Sequence, residues 1–426
     1  MEEERLARER KRRRARRLAA TSTVALLILG TGGYAAACAL APLPEPKVEV
    51  IPEVTRSFAA DPAAAQAVVD AQPGPAAFGW AGDEEVWAND DAARPIASIT
   101  KIVTVLVCLE QAPLEPGADG PVHVWSEADA ARTARFQADD GVVFPVPVGT
   151  EATTRQMLTL ALLPSANDWA EAYAVATFGS VDAFAAAAND WAARNGLASL
   201  HLEEPTGMSE RNVATASDLV RLGRIAAANP TLTQFTSMAS AELPWGIGTV
   251  RNTNALLRTM PDVIGLKTGR TVTAGYNLLT AATGTAAPGT PAERELVRIA
   301  VVLGRDSEEA RAADNATILV GAGQLPQAHE LVVQGEPVGT AVTVDGVEVP
   351  LVAGGGTAVT LLPGEQAEVR PELARISGAD AKEGAEVGSL AVSLPGGTEE
   401  IPVITTKRIV EPDFWWRITN PGKLFG

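Results

Sequence analysis

Two of the seven lysines in this 426-residue chain stand in short motifs whose side chains can share one reaction. Lys101 closes Ser98-Ile99-Thr100-Lys101, the only Ser-x-x-Lys, and Lys267 opens Lys267-Thr268-Gly269. Ser165-Ala166-Asn167, the only Ser-x-Asn, lies between them. The other basic residues are 28 arginines, which cannot lose their proton at ordinary pH, whereas a buried lysine can. A serine hydroxyl is a weak nucleophile until a neighbour takes its proton. The three histidines, His123, His201 and His329, offer no His-Asp pair for that task and no metal-ligand spacing, so no metal site is expected and the base must come from elsewhere.

Residues three apart on a helix share a face, which puts Lys101 one turn beyond Ser98. Ile99, Ile102, Val103 and Leu106 surround the pair. Such surroundings disfavour the ammonium and bring the amine toward the range where a general base works near neutrality. At a helix N-terminus Ser98 also meets the end of the dipole that favours developing negative charge. Ser165 and Asn167 follow Leu162-Leu163-Pro164, where one helix should end. There a hydroxyl can relay a proton and a carboxamide can pair with a substrate amide, or both residues simply cap the next helix. Lys267 and Thr268, closing the apolar run Val263–Leu266, can hold a substrate carboxylate with help from Arg251. Gly269 would let a backbone approach closely. Read singly, Lys101 is a surface lysine past a capping serine and Lys267 a solvated strand end; the three motifs in this order argue against both.

These side chains need elements to hold them. The β-branched run Ile96–Leu109 suits a strand by composition and a buried helix by length; the Ser98–Lys101 spacing favours the helix. Ala76–Ala88 reads as a hairpin turning at Gly82-Asp83. Helices are expected at Thr153–Leu163, Asp168–Ala176, Val181–Asn195 and Ser217–Ala228, the last with a capping set at Thr215–Asp218. Val263–Lys267, Tyr276–Thr283 and Leu296–Leu303 read as strands, and Ser307–Val320 as a closing helix. A sheet flanked by helices, with a mostly helical insertion, is an α+β layered design. Residues 326–408, rich in Val, Gly and Pro with short alternating runs, read as a small C-terminal β-sandwich.

Length predicts two folded units plus appendages. The net charge of −17 hides a basic start, with nine Arg/Lys against four Glu in residues 1–17. The body is therefore strongly acidic, which speaks against nucleic-acid binding. Cys38 and Cys108 lie in apolar stretches and form no disulfide framework. Leu18 to Ala41 carries no charge, long enough for a membrane helix with its positive flank on the cytoplasmic side. Ala39-Leu40-Ala41 is a conceivable cleavage site, so retention is open. The expected organisation is a basic stub and membrane segment (1–41), a Pro-rich linker (42–59), a catalytic domain (60–325), a β-rich domain (326–408) and an aromatic tail (409–426). That tail either touches the bilayer or docks on the protein surface.

Ser-x-x-Lys, Ser-x-Asn and Lys-Thr-Gly in this order resemble the set found in penicillin-recognising serine enzymes. The chain is most similar to the D-alanyl-D-alanine carboxypeptidases among the low-molecular-mass penicillin-binding proteins. Arg94-Pro95-Ile96-Ala97, Glu204-Pro205-Thr206-Gly207-Met208, Ala214–Leu219, Asn252–Leu257 and Ala274–Leu278 extend the likeness across residues 60–325. The resemblance implies a β-lactamase/transpeptidase-like sheet with a helical subdomain. It implies Ser98 as nucleophile, Lys101 as general base, Ser165 as proton relay and Asn167 as orienter of the acyl-side amide. Lys267, Thr268 and Gly269, with Arg251 assisting, would seat the terminal carboxylate, and the backbone N–H groups of Ser98 and Arg270 would form the oxyanion hole. The implied substrate is a peptidoglycan stem ending in D-Ala-D-Ala, cleaved without a cofactor outside a bacterial cell membrane, with β-lactams as inhibitors. Arg270 and Val272 stand where smaller or polar residues are common in this family, which bears on substrate preference. A β-lactamase, a transpeptidase and a non-catalytic penicillin-binding sensor are the alternatives.

Overall fold

The computed structural model describes residues 1–374, 376 and 381–425. The described chain divides into two compact units, one of residues 59–329 and 360–365, the other of 1–58, 330–359 and 366–426.

The first unit is built on a five-stranded sheet in the order Val263–Thr271, Gly275–Ala286, Arg294–Arg305, Ala76–Trp80, Trp87–Ala88. Every pairing is antiparallel, with Arg270 opposite Tyr276 and Ile299 opposite Gly79. Successive side chains of a strand point to opposite faces, and the middle positions of the first four strands are buried one after another, so both faces are covered there. Phe78, Leu278, Ala300 and Val302 join Ile318 and Leu319 of the helix Glu308–Gly323 in one core. Ala77, Leu279, Ile299 and Val301 join Leu219 and Leu222 of the helix Ala216–Ala227 in the other. That second core continues into the helical subdomain formed by Thr154–Leu162, Asn167–Phe178 and Val181–Arg194.

The run that suited either strand or helix is a single 3-10 turn, Ala97–Ile99, leading into the helix Thr100–Gln111. Thr100 through Leu109 are all buried, so burial on every side overrides the β-branched preference. The hairpin at 76–88 forms with Phe78 opposite Trp87. Among the described residues, two helices of nine or more residues had no counterpart in the sequence reading. Pro62–Asp70 is capped by Asp61, and Glu127–Ala138 carries a Ser126/Asp129 capping box. The first is rich in alanine and the second in alanine and charge, which blurs their periodicity.

The second unit contains a seven-stranded sheet in the order Lys47–Val50, Pro337–Val342, Glu348–Ala353, Gly397–Thr405, Glu386–Leu394, Gln366–Leu373, Arg56–Ala59. The stretch that reads as a linker thus supplies both edge strands. Lys47–Val50 pairs with Val342–Gly339; four residues between prolines carry too little alternation to announce a strand. The β-rich stretch 326–408 contains residues 375 and 377–380, which lie outside the described residues. Among the described residues one helix, Glu2–Leu40, is long and apolar enough to cross a membrane.

Candidate active site

Ser98 sits in the 3-10 turn at the head of the buried helix Thr100–Gln111. That turn is gripped by two glycines. A Cβ on Gly207, whose φ is +86°, would lie 1.9 Å from the Ala97 carbonyl oxygen and 2.8 Å from the Ser98 nitrogen. A Cβ on Gly269 would lie 2.7 Å from the Ile96 carbonyl oxygen and 3.2 Å from the Ser98 nitrogen. The close approach expected at Gly269 is therefore made by the protein's own nucleophile turn, and it sets the strand Val263–Thr271 directly against Ser98.

Lys101 is fully buried, and its Nζ reaches Ser98 Oγ at 2.9 Å, Asn167 Oδ1 at 2.6 Å and the Thr206 carbonyl at 2.7 Å. The amide and carbonyl oxygens can only accept. A neutral amine has two N–H groups and one lone pair. Asn167 and Thr206 take the two N–H groups, and the lone pair is left facing the Ser98 hydroxyl. Burial lowers the Lys101 pKa to about 7, against the opposing pull of the Glu204 and Asp168 carboxylates. A neutral, correctly aimed base is thereby available near neutral pH.

The loop under Lys101 is held by Glu204, whose carboxylate accepts from the backbone N–H groups of Thr206 (2.7 Å), Gly207 (2.6 Å) and Ser209 (3.2 Å) and from Asn212 Nδ2 (3.0 Å). It thus fixes both the Thr206 carbonyl and Gly207. Asp168 is likewise buried, accepts from Thr133 Oγ1 at 3.0 Å and the Phe144 N–H at 3.2 Å, and is pushed up by burial to about 6. Neither carboxylate belongs to a recognisable local motif, although Glu204-Pro205-Thr206-Gly207 stands within the family-like stretch.

Ser165 lies in the turn between the helices Thr154–Leu162 and Asn167–Phe178, with φ +72°. Its buried Oγ has no protein partner and it lines the same cleft as Ser98. A buried hydroxyl left unpaired in this way costs stability unless a ligand or water meets it.

The cleft has a volume of about 250 Å³ and is walled opposite Ser98 by Thr268, Arg270, Tyr276 and Arg311. Thr268 Oγ1 lies 2.6 Å from Thr253 Oγ1. Lys267 is buried beneath this wall, its Nζ donating to the Thr268 carbonyl at 3.2 Å. Burial, then the positive charges of Lys101 and Arg311, hold its pKa well below the usual lysine value. Arg251, expected to assist here, ends the hairpin strand Gly248–Arg251 with an exposed side chain and does not line the cleft. Its neighbours Val250 and Asn252 are the buried positions, so strand alternation turns Arg251 outward. Arg311 stands in the cleft instead. It lies in the first turn of the helix Glu308–Gly323, its side chain 7% exposed and 3.1 Å from Glu308. Arg270 and Arg311 hold their guanidinium carbons 5.1 and 5.5 Å from the centre of the Tyr276 ring, within the range of a cation–π contact.

Residues 86–305 match the D-alanyl-D-alanine carboxypeptidase family. A D-alanyl-D-alanine endopeptidase of Pseudomonas aeruginosa is 36% identical over 198 residues, 45% of this chain and 60% of the relative. The D-alanyl-D-alanine carboxypeptidase DacB2 of Mycobacterium tuberculosis is 35% identical over 188 residues, 43% of this chain and 60% of the relative. The match thus spans about 60% of the length of these curated relatives. Penicillin-binding protein 5 of Haemophilus influenzae shares the fold, with a TM-score of 0.54 at 21% identity over 79% of this chain and 97% of that one.

Proposed function

Because the chain belongs to the D-alanyl-D-alanine carboxypeptidase family, we propose that it is a serine DD-carboxypeptidase that removes the terminal D-Ala from peptidoglycan stems. The observation that carries this reading is the Lys101 amine, dry and with its lone pair left for Ser98. Lys101 takes the hydroxyl proton as Ser98 Oγ attacks the carbonyl carbon of the penultimate D-Ala. The oxyanion is met by the backbone N–H groups of Ser98 and Arg270, a contribution of about 3–4 kcal/mol per donor. The short distance from the Gly269 Cβ position to the Ser98 nitrogen supports that pairing. As the tetrahedral intermediate collapses, Ser165 passes a proton to the departing amine, and D-Ala leaves. Water then attacks the Ser98 ester and Lys101 again serves as base.

Asn167, already committed to Lys101 through Oδ1, keeps its Nδ2 for the acyl-side carbonyl. Thr268 and Arg311 hold the terminal carboxylate, and Lys267 adds positive potential from below rather than direct contact. A β-lactam carries a carboxylate and a strained amide in a related arrangement and would acylate Ser98. The helix Glu2–Leu40, with its arginine-rich start, would anchor the chain in the cell membrane and keep the catalytic unit outside the cytoplasm.

The test is labelling by a fluorescent penicillin, wild type against Ser98→Ala, beside D-Ala release from a D-Ala-D-Ala peptide. Label that depends on Ser98, together with D-Ala release, supports the proposal. Label without release moves the assignment to a sensor or transpeptidase. Rapid β-lactam turnover would make the protein a β-lactamase. Cleavage of cross-linked stem dimers in preference to D-Ala release would align it with the endopeptidase of Pseudomonas aeruginosa.

A further inference from the structure

One of the two cations on the cleft wall has no anionic partner. The chain carries a net charge of −17, yet this wall presents both Arg270 and Arg311. Arg270 stands directly opposite Tyr276 across the strand pair, and residues paired in this way share a sheet face. Its guanidinium carbon accordingly lies 5.1 Å from the centre of the Tyr276 ring, and that of Arg311 lies 5.5 Å from the same centre. Arg311 is occupied by the protein. Glu308 is 3.1 Å away, and its Nη1 and Nη2 atoms donate to the carbonyls of Gly269 at 3.5 Å and Thr253 at 3.4 Å. Arg270 is the contrary case. Among the described residues no carboxylate lies within ion-pair reach of its guanidinium, and none of its five N–H groups meets an acceptor; the ring alone supports it. Burial first, and in smaller part the charge of Arg270, hold the Arg311 pKa below the usual arginine value against the pull of Glu308. Two like charges resting on one ring repel each other, and a second anion relieves them.

Resting on the carboxypeptidase reading above, we propose that the Arg270 side chain determines specificity by taking a second carboxylate on the departing side of the substrate, beyond the terminal carboxylate held by Thr268 and Arg311. Thr268 and Arg270 both line the cleft. They stand two residues apart on one strand, hence on one face and about 6.5 Å apart along it. A long, flexible arginine covers that span from the α-carboxylate of a leaving amino acid to a further carboxylate on the same group. Its planar fork then grips the anion with two parallel N–H bonds. D-Ala carries a single carboxylate and gives Arg270 nothing to hold. A leaving group with two carboxylates fills the wall, and it has two sources: a dicarboxylic D-amino acid at the end of the stem, or the second stem of a cross-bridge. The bond broken is the same amide of the penultimate D-Ala, and water still supplies the atoms of hydrolysis; only the leaving amine differs.

The test compares each acid with its own neutral amide. kcat/KM is measured for a stem peptide ending in D-Ala-D-Glu against one ending in D-Ala-D-Gln, and for a cross-linked stem dimer against its amidated form. The enzymes are the full-length wild type, Arg270→Lys and Arg270→Ala. The wild type should prefer at least one acid to its amide about five- to tenfold at low salt. Arg270→Lys should keep part of that preference and Arg270→Ala should lose it. Each ratio is taken within one enzyme, so a general loss of rate cancels. Raised salt should shrink the preference, because Arg270 is exposed. The acid that gains identifies the source of the second carboxylate. A wild type that treats both acids as it treats their amides, or a preference undiminished in Arg270→Ala, overturns the proposal. Calorimetric affinities of the same peptides in the Ser98→Ala background read these ratios without turnover. Absence of D-Ala release, which defeats the carboxypeptidase reading, therefore still leaves this one decided.

Discussion

The two walls of the cleft are built on opposite principles. On the nucleophile side everything is dry and spoken for: Lys101 is fully buried, its three contacts are all within the protein, and two glycines leave the Ser98 turn no room to move. On the opposite wall Arg270 is exposed while the Arg311 side chain is only 7% exposed, both leaning on Tyr276. The first wall obtains its reactivity from desolvation and fixed geometry, where small changes are expensive. The second presents positive charge to the cleft, and water and counter-ions soften a loss only at the exposed Arg270.

The comparison can be broken from the dry side first. Lys101→Ala removes the base and leaves Asn167 Oδ1 and the Thr206 carbonyl without their donor, so kcat for D-Ala release should fall about 10²- to 10⁴-fold. An activity close to wild type would show that the base is elsewhere. Gly207→Ala comes next. The new Cβ meets backbone 1.9 Å away at a φ of +86°, so the expected cost is more than about 2 kcal/mol of stability with slowed penicillin labelling. Thermal unfolding measures the first, and labelling kinetics the second. On the charged wall Arg311→Ala should raise KM about 10- to 100-fold with a smaller effect on kcat, the size of one charge-assisted hydrogen bond. A pure kcat effect would instead place Arg311 in the chemistry.

The pH profile sharpens the same contrast. In the proposed reaction Lys101 works as the neutral amine, so kcat/KM should rise with pH through about 7. Above about pH 6 Asp168 is ionised and favours the Lys101 ammonium. Asp168→Asn removes that pull, and the acid limb should move to lower pH whatever happens to the maximal rate. A limb that stays in place, or moves up, would sever the link between the two groups. Smallest of all, Arg270→Ala should change KM only about two- to fivefold, because the part proposed for it in the oxyanion hole belongs to a backbone N–H that alanine retains.

The same division explains what could be read from the sequence. Ser98 with Lys101, Ser165 with Asn167, and Lys267 with Thr268 are local spacings, so the side chains that each motif brings together were legible. The sheet strands were legible as apolar runs, because both faces are buried. Arg311, Glu204 and Asp168 were not. Arg311 comes to the cleft only because the closing helix packs behind the sheet, and nothing near it distinguishes it from the exposed Arg251. Glu204 and Asp168 act through hydrogen bonds to backbone, which no residue pattern advertises. The strand Lys47–Val50 was hidden by its prolines.

That edge strand has a mechanical consequence. Only the residues between Ala41 and Lys47 connect the end of the long helix to a strand paired in register with Val342–Gly339. At about 3.3–3.6 Å per extended residue, such a connection reaches less than about 20 Å. A pull on the helix is therefore delivered to a hydrogen-bonded sheet edge rather than taken up by slack chain. If the helix lies in a bilayer, the β unit is leashed to the membrane surface at a nearly fixed radius.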